Sequence, residues 1–243
     1  MRMRADLALV EQGLASTRAQ AQALILAGKV FWGDRRVDKA GAQLPMEAEL
    51  HLQGVRRYVS RGGLKLEGAL ESMAVDPSGW IVVDIGASTG GFTDCLLQRG
   101  ARRVFAVDVG HGQLAEKLRH DDRVVVMERT NARHLTADRF DAPVDLVVVD
   151  ASFISIDKLI VPIAGLLRSG GLLLALIKPQ FEAGRAEASR GRGVIRDPEA
   201  RQAAIGRARR AIEATGFAVR DEHDSLVHGP KGNVERFLLA RRG

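Results

Sequence analysis

Two lysines and two carboxylates far apart in the chain, Lys65, Asp150, Lys178 and Glu235, stand at or near the ends of apolar runs of strand length. Taken singly, each has a bland explanation: a solvated helix lysine, a helix cap, a strand-end charge and a surface acid. Taken together they suit a definite chemistry. An alcohol is a poor nucleophile until its proton is withdrawn. A lysine amine can withdraw it when desolvation or a second cation favours the neutral form, which would make Lys178 beside Lys65 a base. Asp150 and Glu235 oppose that by favouring the ammonium, yet they also orient both amines, and the sequence leaves open which effect prevails. Positioning alone can lower a barrier by roughly 7–11 kcal/mol when the reacting atoms are held in near-attack geometry.

A second constellation, Asp84-Ile-Gly86-Ala87-Ser88-Thr89-Gly90-Gly91-Phe92, falls where the first strong strand ends and a helix begins. Glycines there permit a sharp turn and a close approach of the backbone to a ligand, with a tight structural turn as the bland alternative. The segment lacks the full Gly-x-Gly-x-x-Gly spacing and the Gly-Lys-Ser/Thr of a P-loop, which weakens dinucleotide and nucleoside-triphosphate readings. Asp108, 22 residues beyond Gly86 and followed by Val109, ends the second strand and can accept hydrogen bonds from ribose hydroxyls. The third strand leads into Glu128-Arg-Thr-Asn131, where Asn131 offers a donor and an acceptor to an adenine edge. An acidic ribose partner without a pyrophosphate signature fits S-adenosylmethionine better than NAD, and its sulfonium suits Asp84 and Asp108 as neighbours. The expected reaction is in-line methyl transfer to an alcohol.

The elements that must position these groups are five apolar runs, 80–86, 102–109, 123–128, 144–151 and 171–179, separated by stretches long enough for crossover helices. That alternation predicts a mostly parallel sheet covered on both faces. Two further runs, 217–224 and 234–241, are separated by a turn-rich segment too short for a crossover and are predicted to pair antiparallel. Seven strands with such a final pair suggest the methyltransferase variant of the doubly wound, Rossmann-like α/β fold. About the first 55 residues differ. Leu7, Leu9, Val10 and Leu14 begin one short helix. Thr17 with Gln20 makes a capping-box signature for a second, with Leu24, Ile25 and Leu26 on its buried side and Gly28 as its stop. Small strands follow at 30–32, 36–37 and 49–52, then a connector over 53–60.

Composition narrows the class. Of 243 residues 46% are apolar and 27% charged, the balance of a globular rather than a disordered or fibrous chain. The longest stretch free of polar side chains, 159–167, contains Pro162 and falls short of the roughly 20 residues that cross a bilayer. Asp6 and Glu11 interrupt what would be the apolar core of a signal peptide, so a cytoplasmic protein is expected. A single cysteine, Cys95, makes no internal disulfide or zinc cluster, so no metal is expected. The net charge is +6, and the first 60 residues hold nine Lys/Arg against six Asp/Glu, which suits a polyanion. Arg4, Arg18, Lys29, Arg35 and Arg36 fall at helix starts and turns there, and Arg57 and Arg61 flank the end of the connector. Arg185 and Arg190 follow the fifth strand in a Gly- and Ala-containing loop, read as a flap against RNA phosphate.

The pattern from Arg4-Ala-Asp through Leu14, Thr17-Arg18, Ala21, Gly28-Lys29-Val30 and Gly33 to Val37 resembles the S4 RNA-binding domain. The runs Ser60-Arg-Gly-Gly-Leu-Lys65-Leu, Asp84 to Asp94, Val107-Asp-Val-Gly110, Ser152-Phe-Ile-Ser155, Ile177-Lys-Pro-Gln-Phe-Glu182 and Gly232-Asn-Val-Glu235 resemble the TlyA family, which is related to the FtsJ-type ribose methyltransferases. The resemblance implies an S4 domain with its linker over 1–58 and a methyltransferase domain over 59–243. It also implies methylation of cytidine 2′-hydroxyls in ribosomal RNA or a ribosomal subunit, the large subunit for a chain this short, with Lys65, Asp150, Lys178 and Glu235 as the catalytic tetrad. The family is also called haemolysin-like, but the chain has no amphipathic hairpin on which a pore could be built. A non-catalytic RNA-binding assembly factor and a base-directed methyltransferase are the competing readings.

Overall fold

The computed structural model describes residues 2–54, 57–183, 194–229 and 232–243. The chain folds as two compact units, Met1–Arg57 and Tyr58–Gly243, so that the division falls one residue before the border expected from the sequence. Tyr58 belongs to the second unit: its hydroxyl donates to Glu67 at 3.0 Å, and the neighbouring Val59 N–H donates to Asp94 at 2.8 Å.

In the first unit β1 (Arg2–Arg4) pairs antiparallel with β4 (Gln43–Pro45), and β2 (Val30–Trp32) lies between β3 (Arg35–Arg36) and β5 (Leu50–Leu52). Two helices, α1 (Ala5–Glu11) and α2 (Arg18–Leu26), bring Leu9, Ala21 and Ile25 into a small core with Val30, Val37 and Leu50. The capping box forms as expected on one side, where Thr17 Oγ1 accepts from Gln20 N at 3.1 Å. The Gln20 side chain reaches back to the N–H of Ser16. Leu26 is not on the buried side: it is 89% exposed, because the core lies along Ala21 and Ile25, four residues apart on one stripe. Strands β1 and β4 carry no alternation legible in the sequence.

The second unit holds a seven-stranded sheet in the order β11-β12-β10-β9-β6-β7-β8. Its strands are β6 (Ile81–Ile85), β7 (Arg103–Val107), β8 (Val124–Met127), β9 (Val144–Val149), β10 (Leu167–Ile177), β11 (Phe217–Asp224) and β12 (Arg236–Arg242). The first five run parallel, and β12 runs antiparallel to both β10 and β11. On one face α3 (Gly62–Ser72), α4 (Gly91–Gln98) and α5 (Glu116–Arg119) bury Leu66, Leu70, Leu96 and Leu118 against Val82, Val148 and Leu176. On the other, α6 (Ile160–Leu166) and α8 (Pro198–Glu213) bury Ile163, Ile205 and Ile212 against Val83, Val147 and Ala175. Between them in sequence lies one turn of helix, α7 (Pro179–Glu182). The crossover from β8 to β9 holds two 3₁₀ turns, Ala132–His134 and Ala137–Arg139, where a helix was expected. Strands with both faces covered must be apolar throughout, which is why the five parallel runs were legible, whereas the edge strand β11 is mostly polar.

The candidate active site

Strand order fixes where a ligand can sit. The chain winds outward from β6 to β7 and β8, then returns to β9 on the other side of β6, so the crevice opens between the carboxyl ends of β6 and β9. A cavity of about 350 Å³ lies there, lined by Gly86, Ser88, Asp108, Val109, Asn131 and Asp150 together with apolar side chains such as Ile85, Val107, Ile154 and Leu159. Gly86 has φ +86°, and a Cβ on it would stand 2.8 Å from the carbonyl oxygen of Asp150. Only glycine lets these two strand ends approach so closely. Gly91 plays a similar part lower down, where α4 packs against Gly63 of α3.

The glycine-rich residues divide into two sets. Gly86 and Ser88 reach the cavity, whereas Ala87, Gly90, Gly91 and Phe92 are buried and build the turn; Thr89 accepts from Ala115 N through its carbonyl. Asp108 accepts from Ser88 N at 2.8 Å and from Gly110 N at 2.7 Å, which aims its carboxylate along the cavity wall. Asn131 lines the cavity, but its side-chain oxygen caps a 3₁₀ turn by accepting from Arg133 N at 3.1 Å, which leaves the amide NH₂ as the half not used by the cap. Asp84 does not reach the cavity. It is fully buried beneath the turn, accepts from the Thr93 hydroxyl at 2.7 Å through one oxygen, and has no partner for the other among the described residues. Burial, with Asp150 and Asp108 adding repulsion, pushes its carboxyl up to about 7 against the opposing Thr93 bond.

The four ionisable groups converge. Along β9, β10 and β12 the even-numbered apolar residues of β9 and β10 and the odd-numbered ones of β12 face α3 and α4. Asp150, Lys178 and Glu235 continue that alternation at the strand ends. The β10–β12 register pairs Ile177 with Arg236, and one further step sets Lys178 opposite Glu235, at the ~4.8 Å spacing of neighbouring strands. Lys65 reaches the same place from α3. The side chains form two ion pairs, Lys65 Nζ to Glu235 Oε2 at 2.5 Å and Lys178 Nζ to Asp150 Oδ1 at 2.6 Å. Lys65 and Lys178 are each only 8% exposed and Glu235 1%, while Asp150 opens to the cavity. Lys178 Nζ also donates to Ser152 Oγ at 3.0 Å. Buried ion pairs contribute little to stability against apolar residues of the same volume, so stability alone does not account for two of them at the end of one sheet.

Sequence reasoning missed Gln113, Thr130, Ser152 and Phe153 of the cavity wall. A weak signal existed for two of them in the Ser152-Phe-Ile-Ser155 run, to which no role was given. Of the basic residues, Arg35, Arg36 and Arg57 are exposed and Lys29 is half-buried. Arg36 pairs with Asp38 at 2.6 Å, and Arg61, on the second unit, donates to the His228 carbonyl at 3.1 Å. Arg4, half-buried, and Arg18, exposed, each pair with the buried Asp6, at 3.0 and 2.8 Å, so that part of their charge is matched within the fold while both side chains remain open to solvent. Arg185 and Arg190 lie outside the described residues. Among the described residues no group of three or more His, Cys, Asp or Glu is placed to hold a metal ion, and no helix is long and apolar enough to cross a membrane.

Residues 58–242 match the family model of the FtsJ-like methyltransferases, and residues 3–50 match that of the S4 domain. The chain is 44% identical over 247 residues to the 16S/23S rRNA (cytidine-2′-O)-methyltransferase TlyA of Mycobacterium tuberculosis, covering 99% of this chain and 90% of that one. It is 41% identical to hemolysin A of Brachyspira hyodysenteriae, covering 96% and 97% of the two chains. A solved structure described as a hemolysin from Streptococcus thermophilus superposes with a TM-score of 0.75 at 40% identity, over 99% of this chain and 88% of that one.

Proposed function

The chain belongs to the FtsJ-like methyltransferase family and carries an S4 domain at its N-terminus, and from that premise we propose that it methylates the 2′-hydroxyl of cytidine in ribosomal RNA, with S-adenosylmethionine as donor. The observation that carries this reading is the pair of buried ion pairs at the ends of β9, β10 and β12, one of which ends on Asp150 of the cavity wall. The cavity wall suits the donor: apolar Ile85, Val107 and Val109 offer an adenine a flat slot, Asn131 its amide, Asp108 a ribose acceptor, and Asp150 an anion near a cationic sulfur. When bound, that donor supplies an electrophilic methyl carbon.

The remaining steps belong to the chain. Lys178, paired with Asp150 of the cavity wall, takes the proton of an acceptor hydroxyl as the oxygen–carbon bond forms and the sulfur–carbon bond breaks. Asp150, 2.6 Å away, stabilises the ammonium that results, much as a carboxylate orients and stabilises a catalytic base elsewhere. Lys65, held by Glu235, offers a second donor to the ribose oxygens and fixes the nucleotide. The exposed Arg35, Arg36 and Arg57, with half-buried Lys29, supply phosphate contacts on the S4 domain. Large-subunit RNA is the finer reading proposed. The M. tuberculosis relative is named for both subunits, and methyl mapping on both RNAs separates the two. Such a substrate places the protein in the cytoplasm.

Lys178→Ala tests the assignment. Methyl transfer should fall by roughly 10²–10⁴-fold while calorimetry finds the affinity for S-adenosylmethionine changed by less than about threefold. Turnover comparable to that of the parent would remove Lys178 from the chemistry.

A further inference from the structure

One acid beside the site takes no part in the reaction described above. Glu182 closes the short turn α7 that Lys178 begins: Phe181 N donates to the Lys178 carbonyl at 2.9 Å and Ala183 N to that of Pro179 at 2.8 Å. Its carboxylate reaches out of this turn to the loop after β9, accepting from Ser155 Oγ at 2.5 Å and from Ile156 N at 2.9 Å. Its carbonyl accepts two bonds from Arg207 of α8, at 3.2 and 3.1 Å. Burial raises its carboxyl above the ordinary range, with Asp157 adding to the rise and the Ser155 and Ile156 donors and Arg207 opposing it.

The loop so held begins at Asp150 and carries Ser152, both partners of Lys178, and Phe153, whose φ of +64° is one a bulky residue adopts only where its surroundings impose it. Two segments are therefore linked at both ends: Lys178 to Asp150 and Ser152, and Glu182 to Ser155 and Ile156. Glu182 itself is not part of the cavity wall. We propose that Glu182 is a positioning residue, fixing through Ser155 and Ile156 the loop that presents Asp150 and Ser152 to the Lys178 amine; the proposal rests on the methyl-transfer reading of the site.

Glutamine can meet both bonds, accepting from the Ile156 N–H and donating to the Ser155 hydroxyl, whereas alanine meets neither. In the full chain, amide hydrogen exchange over residues 151–158 should speed up in Glu182→Ala and remain parental in Glu182→Gln. Single-turnover transfer at saturating RNA should slow roughly 10- to 100-fold in the alanine variant, with RNA affinity unchanged, and the glutamine variant should recover to within about threefold of the parent. Parental exchange in Glu182→Ala overturns the proposal, and so does equal loss of rate in both variants, which would assign the role to the charge. If the alanine variant does not fold, Ser155→Ala removes one of the two bonds. Faster exchange with slower transfer supports the proposal there, and parental values of both overturn it. Exchange is read without substrate, so a parent protein that methylates no RNA would sink the functional reading and leave the positioning result standing.

Discussion

Asp84 should make the methyltransferase unit less stable as pH rises through neutrality, and replacing it with asparagine should abolish that dependence. The side chain is fully buried, one oxygen bonded to Thr93 and the other without a partner among the described residues. Its carboxyl is pushed up to about 7 in the fold, against 3.8 for a freely solvated aspartate. The folded state thus holds the proton more tightly than the unfolded state. Stability from this group is complete below the unfolded value, is lost as pH climbs between about 4 and about 7, and stays lost above. The rise corresponds to about 4 kcal/mol, of which roughly 2–3 kcal/mol falls between pH 5 and pH 8. Asp84→Asn removes the charge and keeps an oxygen to accept from Thr93. In a Trp32→Phe background Trp80, next to β6, is the sole tryptophan reporter. Urea titrations at the two pH values should show the asparagine variant gaining roughly 2–3 kcal/mol on the parent from pH 5 to pH 8. A gap that is the same at both values would mean that Asp84 is not held protonated by burial, and the reasoning would fail.

Asp6 predicts the opposite sign in the first unit. Its buried carboxylate is held far below the usual range, chiefly by Arg4 with Gln22 and Arg18 assisting, so that unit should lose stability as pH falls through the carboxylate range. Asp6→Ala should cost about 2–3 kcal/mol, less than a fully buried pair because both guanidiniums are partly exposed, as read from denaturation followed at Trp32 in a Trp80→Phe background. Arg35, exposed and with no ion-pair partner among the described residues, should contribute one phosphate contact. Its replacement by alanine should weaken RNA binding and reduce the slope of log affinity against log salt by about one, and an unchanged slope would move that contact elsewhere. Gly86→Ala combines about 1–2 kcal/mol of left-handed backbone strain with a collision against the Asp150 carbonyl. Calorimetry should find cofactor affinity reduced by more than about tenfold, and parental affinity would show that the loop yields without disturbing the cavity.

The inner strands were legible because burial on both faces forces continuous apolar runs, whereas the edge strand Phe217–Asp224, mostly polar and only its first residue buried, was read to the residue from the turn-rich segment that follows it. Strand ends elsewhere were displaced by a few residues, most at β10, which begins at Leu167 with an irregular stretch before its regular pairing at Leu172. The tetrad could be read because a doubly wound sheet gathers strand ends from distant sequence, so charge at the end of an apolar run is informative wherever it occurs. Other features have no such signature. Ser152, Phe153 and Gln113 sit on loops without period, so nothing local marks them as cavity wall. Asp84 was legible as an acid near a glycine turn, yet whether it faces a ligand or lies beneath the turn depends on packing by α4. The pairing of Arg4 and Arg18 with Asp6 likewise depends on Asp6 being buried between them, and a count of charges treats paired and free arginines alike.

The most direct measurement is the identity of the methylated nucleoside after purified protein and isotopically labelled S-adenosylmethionine are incubated with ribosomal subunits. Digestion and mass spectrometry should return 2′-O-methylcytidine carrying the label, and the dinucleotide containing it should resist alkaline cleavage. Label found on a base, or no label in RNA at all, would contradict the account of Lys65, Asp150, Lys178 and Glu235 as groups gathered around a ribose oxygen.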